Sequence, residues 1–378
     1  MLRLLHLSDV HLGAAHPELG PAGALQRERQ WEALERAVEL AATEQCGLAI
    51  VSGDLFDTNA QPRRAVERVG RVLGRAASAG ITIAILPGDA DPFDASSVYR
   101  TWDLAALAGV PDADRIHVLD PGGPALVLPA LDVAVRAYRV EPGTTLDDAL
   151  AAPRDEGESG VRLRIGAVHV APGMEPPSDA VVAASGLDYL AIGGSMGHVQ
   201  GSGGTGGWGD PGPIESLGPA GDVGHVLLVT LDPAGKERVR VDARTVGRTR
   251  RLRLELPASE FADDAALREH LAALADPDLA CDVCLTGLRG PDLRVDEAAL
   301  EAGVGPAFFH LRIEDASTAS PPAPPEPAPE SIAGAFVRDV GGRMATALDE
   351  GRTSDARELG EQLEWGTRLL ADSTGMPV

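Results

Sequence analysis

Cysteine, aromatic residues and lysine are scarce in this chain of 378 residues. It has three Cys and 3% aromatic residues, and Lys236 is its only lysine. Three thiols are too few for a framework of disulfides. Cys281 and Cys284 lie in a segment with the apolar pattern of a strand and without a second pair, which argues against a zinc or redox site. The predicted core is therefore built from Leu, Val, Ile and Ala.

Long apolar runs and positive charge are also lacking. No run approaches the length of a membrane span, and the first residues predict a strand where a signal peptide needs a longer apolar region. We therefore expect a cytoplasmic protein with no membrane contact. The net charge of −24 repels nucleic acid, so a DNA-binding function requires a local basic patch, a metal site or a basic partner.

The first fourteen residues contain the pattern around which the rest is organised. A short apolar run ends at Ser8, and Asp9 and His11 follow it. Residues i and i+2 of an extended chain point to the same side, so this carboxylate and this imidazole face one point. Such a pair of O and N donors suits a divalent cation. Alone, the pattern is too common to establish a site.

Later strands end in matching groups. Apolar strands alternate with helical patterns, which predicts βαβ units and a largely parallel sheet. Asp54 follows the second strand, Asp89 follows the third, and His169 follows a later one. Because ligand sites lie beyond the carboxyl ends of parallel strands, we expect these residues to converge with Asp9 and His11.

The pattern of elements changes along the chain. Strands dominate the middle, and two sheets packed face to face with helices outside would absorb them. The glycine-dense stretch 194–212 is predicted to be irregular. We predict four segments, namely a main α/β domain at 1–247, a small α+β capping domain at 248–316, a Pro-rich linker at 317–330 and a helical tail at 331–378.

These motifs resemble those of the calcineurin-like metallophosphoesterases, whose pattern is D-x-H, G-D-x-x-D, G-N-H-[DE], a lone His and G-H-x-H. LHLSDVHLG and IVSGDLFD are most similar to the SbcD-type branch, the nuclease subunit that works with an SbcC-type coiled-coil ATPase. The resemblance covers about residues 1–316. It implies a four-layer sandwich of two mixed β-sheets flanked by helices, and a role in DNA-end processing and repair.

The resemblance also implies a metal centre with assigned residues. Two Mn²⁺ ions would clamp a phosphodiester and activate the attacking water. Asp54 would bridge the ions, and Asp57 would orient His11. The ligand set that the family pattern implies is Asp9, His11, Asp54, Asp89 and His169.

The sequence departs from the family pattern in the later motifs. Ala90 stands where the family has a His that assists the leaving group, and losing such a group costs about 10²–10⁴-fold in rate. Gly194 and Met196 stand at the two His positions of the last motif, so each ion would lose a nitrogen ligand. His198, two residues beyond, is either a replacement ligand or a solvated loop residue. We therefore predict a partial dinuclear site and weak or lost phosphodiesterase activity.

Two other functions stay open at this point. One is a fully active Mn²⁺-dependent DNA exonuclease with a rearranged metal site, and the other is a non-catalytic binding subunit of an SbcC-like ATPase. The amphipathic tail at 331–372 is expected to bind such an ATPase, with which the chain would reach DNA. By the resemblance, helices at 62–79 and 94–108 would form a homodimer.

Overall fold

The computed structural model describes residues 1–111, 113–151, 160–218, 223–319 and 330–373. They divide into two units. The first comprises Met1–Leu256, Arg268–Cys284 and Asp296–Asp315, and the second comprises Pro257–Leu267, Leu285–Val295 and the described part of Ala316–Val378. Among these residues, every helix is too short or too polar to cross a membrane. The domain boundaries given above stay a prediction.

Strands and helices alternate through the first half of the chain, as the apolar pattern predicted. The strands are β1 (Leu2–Leu7), β2 (Leu48–Ser52), β3 (Thr82–Leu86), β4 (Ile116–Val118), β5 (Leu126–Leu128), β6 (Val133–Tyr138), β7 (Leu163–His169), β8 (Tyr189–Gly193), β9 (Val199–Gly203), β10 (Gly206–Asp210), β11 (His225–Leu231), β12 (Val239–Thr245), β13 (Arg250–Pro257), β14 (Leu279–Thr286), β15 (Leu288–Arg289), β16 (His310–Asp315) and β17 (Thr318–Ala319). The helices are α1 (Gly23–Thr43), α2 (Arg63–Ser78), α3 (Val98–Thr101), α4 (Leu104–Ala108), α5 (Leu146–Leu150), α6 (Asp179–Ser185), α7 (Asp264–Ala273), α8 (Glu297–Val304), α9 (Ile332–Asp349) and α10 (Thr353–Ser373).

The first sheet has the strand order β12-β11-β1-β2-β3-β4. β1 to β4 run parallel, with Leu4 opposite Leu48 and Leu48 opposite Thr82, while β11 pairs antiparallel with β1 and with β12. Leu-rich β1 is buried on both faces, which suits a central strand. The carboxyl ends of β1, β2 and β3 consequently lie at one edge of the sheet.

The second sheet has the strand order β5-β6-β7-β8-β10-β9. Its inner strands β6, β7, β8 and β10 run parallel, and the edge strands β5 and β9 are antiparallel to their neighbours. His169 ends β7 opposite Gly193, the last residue of β8. The imidazole of His169 is therefore delivered at a strand end of the second sheet.

Three apolar clusters define four layers. Between the sheets, Leu4 and Ile50 of the first sheet pack with Val135 and Ile165 of the second. Residues of α1, α2 and α4 cover the outer face of the first sheet, and residues of α5 and α6 cover the outer face of the second. The predicted α/β class, with two mixed sheets between helices, is confirmed.

The prediction that the glycine-dense stretch 194–212 is irregular is wrong. It contains β9 and β10, and β10 lies inside the second sheet. A Cβ at Gly203 would clash with the carbonyl oxygen of Asp179, and one at Gly206 would lie 2.5 Å from that of Leu187. Glycine is needed here because neighbouring backbone approaches closely, and not because the segment is flexible.

The last third of the chain supplies a small sheet and a helical hairpin. β13, β14 and β16 form a three-stranded sheet with β14 in the middle. In the second unit, α9 and α10 pack on each other around Val340, Ala347, Ala356 and Leu359. The hairpin thus buries part of the apolar face of the tail by itself. Most of the predicted linker, 320–329, lies outside the described residues.

Candidate metal centre

Three residues of the predicted site adopt an uncommon backbone conformation. Asp9, His11 and Asp54 have φ values of 50°, 48° and 52°, in the left-handed region. Residues with side chains rarely adopt this conformation, and such strain concentrates at functional sites. The turn brings the loop after β1 against the loop after β2, where the His11 amide donates to the Asp54 carbonyl oxygen at 2.9 Å.

The side chains of these three residues meet at the edge of the first sheet. His11 Nε2 lies 3.4 Å from Asp54 Oδ2 and 3.9 Å from Asp9 Oδ1. One potential ligand atom from each residue lies within 4.8 Å of the other two. This is the spacing expected of groups that share one cation, so the three residues form a potential metal-binding triad.

His169 reaches the same carboxylate from the second sheet. Its Nε2 lies 3.3 Å from Asp54 Oδ2, and its Nδ1 donates to the carbonyl oxygen of Ser52 at 3.1 Å. The ring lies directly over Gly53, where any Cβ would clash with Nδ1. The glycine of the G-D-x-x-D motif is thus needed for His169 to approach Asp54.

Both imidazoles are held from behind in the same way. His11 donates from Nδ1 to Asp57 Oδ1 at 3.1 Å, as His169 does to Ser52. Each ring therefore presents Nε2 towards Asp54. A hydrogen bond on the outer nitrogen is the usual device for orienting a ligating histidine. The structure places Asp57 where it can orient His11.

Charge within the site couples Asp54 to His169. Burial opposes ionisation of Asp54, but the hydrogen bond and charge of His169, the Ala90 amide and His11 together hold its pKa below the usual range. Burial disfavours the imidazolium of His169, but the hydrogen bond to Asp54 and the charges of Asp9 and Asp54 raise its pKa to about 10. Burial raises the pKa of Asp9. The contacts of the site thus favour an ionised Asp54 beside a protonated His169.

The 88–91 loop contributes less to the site than the family pattern implies. Asp89 is exposed and lies outside the triad. Ala90 has no side chain to offer, but its amide donates to Asp54 Oδ1 at 2.8 Å. Asp91 is fully buried and accepts hydrogen bonds from the amides of Phe56 and Gly88. The loop thus supports Asp54 through its backbone.

The last motif also acts through its backbone. The Gly194 amide donates to Asp9 Oδ2 at 3.0 Å. Its φ of 109° is unfavourable for a side chain, and a Cβ there would clash with the carbonyl oxygen of Val170. Met196 is 47% exposed, and His198 bonds Gln200 Oε1 at 3.1 Å, away from the triad. The structure therefore does not bring His198 together with the other candidate ligands.

Asp210 is a site neighbour that the sequence did not reveal. It ends β10, is 1% exposed and accepts hydrogen bonds from the amides of Ser195 and Gly212. Burial and the charge of Asp9 raise its pKa to about 7. A carboxylate at the end of a strand, as at Asp54, could have identified Asp210 from the sequence, but the strand itself was not predicted.

The donor chemistry fits a divalent cation. Carboxylate oxygens and imidazole nitrogens together suit first-row transition-metal ions such as Mn²⁺. Ca²⁺ sites use oxygen ligands alone, and structural Zn²⁺ sites use mainly thiolates, so this donor set fits them less well. Asp9, His11 and Asp54 would hold the ion, and His169 contacts Asp54 without belonging to this group of three.

The N-terminal part of the chain is similar to known proteins. Residues 2–169 match the family described as calcineurin-like phosphoesterase, and this range contains Asp9, His11, Asp54 and His169. DNA double-strand break repair protein Mre11 of Saccharolobus solfataricus is 32% identical over 92 residues, 24% of this chain and 23% of that protein. The Mre11 protein of Sulfurisphaera tokodaii is 29% identical over 116 residues, 29% of each chain. The matched segment thus spans less than a third of either relative.

Solved structures show a distant likeness. The protein TT1561 of Thermus thermophilus aligns with 65% of this chain and 99% of its own, at 16% identity and a TM-score of 0.41. An archaeal phosphodiesterase aligns with 64% of this chain and 100% of its own, at 12% identity and a TM-score of 0.33.

Proposed function

We propose that this chain, whose residues 2–169 form a calcineurin-like phosphoesterase domain with weak similarity to Mre11 proteins, is an SbcD-like protein of DNA-end processing with a partial metal site. It binds a divalent cation, expected to be Mn²⁺, and has weak or lost phosphodiesterase activity. The observation that carries the proposal is the convergence of Asp9, His11 and Asp54 at one point, with His169 against Asp54 and no side-chain donor from positions 90 and 194.

A cation held by these residues would polarise a phosphoryl oxygen and lower the pKa of water. Asp54 faces both imidazoles, and His11 and His169 are oriented by Asp57 and Ser52. These residues can position a phosphate ester at the strand ends. Position 90 supplies no side chain that could protonate the leaving group, because Ala90 has only its amide, which donates to Asp54. This combination supports binding of a phosphate ester with slow turnover.

Metal analysis combined with an activity assay tests the proposal. Elemental analysis after dialysis against Mn²⁺ should find about one ion per chain in the wild type and none in Asp54→Ala, because Asp54 contacts both histidines. Asp242→Ala is the matched control, since Asp242 pairs with Arg240 on β12 away from the site. Bis-p-nitrophenyl phosphate and single- and double-stranded DNA should be cleaved slowly or not at all.

Two results would contradict the proposal in different ways. Rapid turnover that Asp54→Ala abolishes would favour the fully active exonuclease. Failure of the wild type to bind Mn²⁺, Mg²⁺ or Zn²⁺ at any concentration would contradict the metal site altogether and favour a non-catalytic binding subunit.

The helical hairpin is proposed to bind an SbcC-like coiled-coil ATPase. After α9 and α10 have packed on each other, Ile332, Trp365 and Leu369 stay 82%, 67% and 64% exposed. Trp365 and Leu369 are four residues apart on α10 and so lie on one face. Trp365→Glu should abolish capture of the ATPase coiled coil while the hairpin core stays intact. Glu39→Lys, which inverts an exposed charge on α1 outside the hairpin, is the control. Equal capture by Trp365→Glu and wild type would contradict this role.

A further inference from the structure

A buried histidine outside the candidate metal centre connects the two sheets. His6 lies on β1 and is completely buried. Its Nε2 lies 2.7 Å from Ser52 Oγ at the end of β2, in the same sheet, and its Nδ1 lies 2.9 Å from Tyr189 Oη on β8, in the other sheet. These three side chains form a polar network, here called the interlayer network, inside the otherwise apolar layer between the sheets.

The hydrogen bonds of the interlayer network have one consistent direction. Ser52 Oγ donates to the carbonyl oxygen of Ile192 on β8 at 3.1 Å, so it accepts from the Nε2–H group of His6. Nδ1 of His6 then accepts from the hydroxyl of Tyr189. Burial lowers the pKa of His6 to about 3, so the ring is neutral and carries the single proton that this pattern needs. Each polar atom of the three side chains thus has a partner.

Ser52 links the interlayer network to the candidate metal centre. Its carbonyl oxygen accepts the hydrogen bond from Nδ1 of His169 at 3.1 Å, and Asp54 follows it by two residues. A Cβ on Gly193 of β8 would lie 2.0 Å from that carbonyl oxygen and 2.9 Å from Ser52 Oγ. The backbone of Ser52 is therefore packed directly against β8, while its side chain is bonded to β8 and to His6. A shift of Ser52 would move the acceptor of His169.

Stability alone gives no reason for polar side chains at this place. Leu4 and Ile50, two residues before His6 and Ser52 on the same strands, are apolar and lie in the same buried layer. Replacing a paired set of buried polar groups by apolar groups of the same shape is often neutral or stabilising. A fully paired polar network, in contrast, holds its members in one orientation. The interlayer network is therefore better suited to orienting a neighbour than to filling the layer.

From these contacts we infer that His6 is a positioning residue for His169. Tyr189 holds the ring of His6, and His6 fixes the hydroxyl of Ser52. Ser52 in turn presents the carbonyl oxygen that directs Nε2 of His169 towards Asp54. An effect of His6 on cation binding rests on the proposed function, whereas its effect on the direction of His169 rests on the hydrogen bonds alone.

Nitrogen-15 NMR of the metal-free protein tests the direction of His169. The wild type should show an Nδ1–H resonance of this ring that exchanges slowly with water, assigned by its loss in His169→Gln. The double variant His6→Leu/Tyr189→Phe replaces two polar side chains by apolar ones of similar size and leaves Ser52 Oγ its bond to Ile192. Exchange of the Nδ1 proton should become about 10-fold faster in this variant, because one hydrogen bond is loosened. Its midpoint of urea unfolding should stay close to that of the wild type.

Two control variants separate positioning from stability. His6→Gln keeps a donor for Ser52 and an acceptor for Tyr189, so it should retain slow exchange of the Nδ1 proton. Val135→Ala shortens a buried apolar side chain of the same layer on β6. It should lower the midpoint of urea unfolding without changing the exchange of the Nδ1 proton, since no hydrogen bond of the interlayer network is altered.

Calorimetric titration with Mn²⁺ tests the link to the metal centre. The double variant should bind Mn²⁺ about 10-fold more weakly than the wild type, as is usual when the support of a metal-site histidine is lost. Wild-type exchange of the Nδ1 proton in the double variant, or equally fast exchange in it and in Val135→Ala, would overturn the positioning role. Faster exchange in the double variant alone, together with no Mn²⁺ binding by the wild type, would overturn the metal site and leave His6 as the residue that positions His169.

Discussion

The Asp54 side chain contacts both imidazoles of the candidate site and the loop after β3. One of its oxygens faces His11 and His169, and the other accepts the Ala90 amide. Asp9 has a similar arrangement on a smaller scale, because Gly194 supplies an amide where the family pattern has an imidazole. At residue scale, both positions contact the carboxylates of the site through backbone N–H groups, where the family pattern has histidine side chains.

Restoring the histidine at position 90 should raise activity. Ala90 is only partly buried, and its amide already lies beside Asp54, so an imidazole there would be next to the bound ester. We expect Ala90→His to hydrolyse bis-p-nitrophenyl phosphate with Mn²⁺ at least about 10-fold faster than wild type, within the usual contribution of a general acid. Ala90→Gln, of similar length but without acid chemistry, is the control. Equal rates in all three proteins would show that another step limits turnover.

Restoring the histidine at position 194 should fail. The backbone of Gly194 has a φ of 109°, and its missing Cβ would clash with the Val170 carbonyl oxygen. We expect Gly194→His to lose about 3 kcal/mol or more of unfolding free energy in urea. Met196→His, at an exposed position of the same loop, should unfold like the wild type. A stable Gly194→His protein would show that the loop can rearrange.

Acid should destabilise the protein in part through His6. Its ring is fully buried, between Tyr189 Oη at 2.9 Å and Ser52 Oγ at 2.7 Å, and burial lowers its pKa to about 3. The folded state thus binds this proton less tightly than the unfolded state. The contribution is present above pH 6.5 and is lost as the pH falls from 6.5 towards 3, by about 2 kcal/mol at pH 5.

Urea unfolding at pH 7.5 and pH 5 measures this contribution. His6→Gln keeps a donor and an acceptor but does not titrate, so its loss of unfolding free energy on acidification should be smaller than that of the wild type. Thr205→Gln, at an exposed position without a titratable group, should keep the wild-type pH dependence. Identical pH dependence of wild type and His6→Gln would contradict the assignment.

At the scale of single elements, β9 and β10 show how glycine can build a strand. Gly203 faces backbone of α6 so closely that a Cβ would clash with Asp179, whereas a Cβ at Gly197 would meet open space. Gly203→Ala should therefore cost about 2 kcal/mol of unfolding free energy, and Gly197→Ala almost nothing. Both can be measured by urea unfolding followed by circular dichroism. Equal stability of the two variants would indicate that this strand is loosely packed.

At the scale of the whole molecule, the tail hairpin has a core of its own. Val340, Ala347, Ala356 and Leu359 pack within α9 and α10. Deleting 331–378 should therefore leave the melting temperature of the first unit unchanged and remove binding of an SbcC-like ATPase. Scanning calorimetry and a capture assay test the two halves of this prediction. An unfolded truncation product would show that the tail is needed for the rest of the chain to fold.

Much of the fold and most of the candidate site could be predicted from the sequence. Alternation of apolar strands and helical patterns was enough for the α/β class, because burial on both faces forces strands such as β1 to β3 to be almost wholly apolar. The placement of Asp9, His11 and Asp54 followed from the rule that parallel strands end at one edge. The apolar composition of a strand and the residue at its end both belong to a short stretch of sequence, so the sequence shows them directly.

Tertiary structure alone decided the remaining features. Glycine in β9 and β10 looked like a flexible loop, since a sequence does not show which backbone will pass within 3 Å of a missing Cβ. Asp89 followed its strand as predicted and yet is exposed, while Asp210 at the end of an unpredicted strand lies buried beside Asp9. Whether a strand-end carboxylate enters the site depends on the turn that follows it and on the opposing sheet, which only the folded chain brings together.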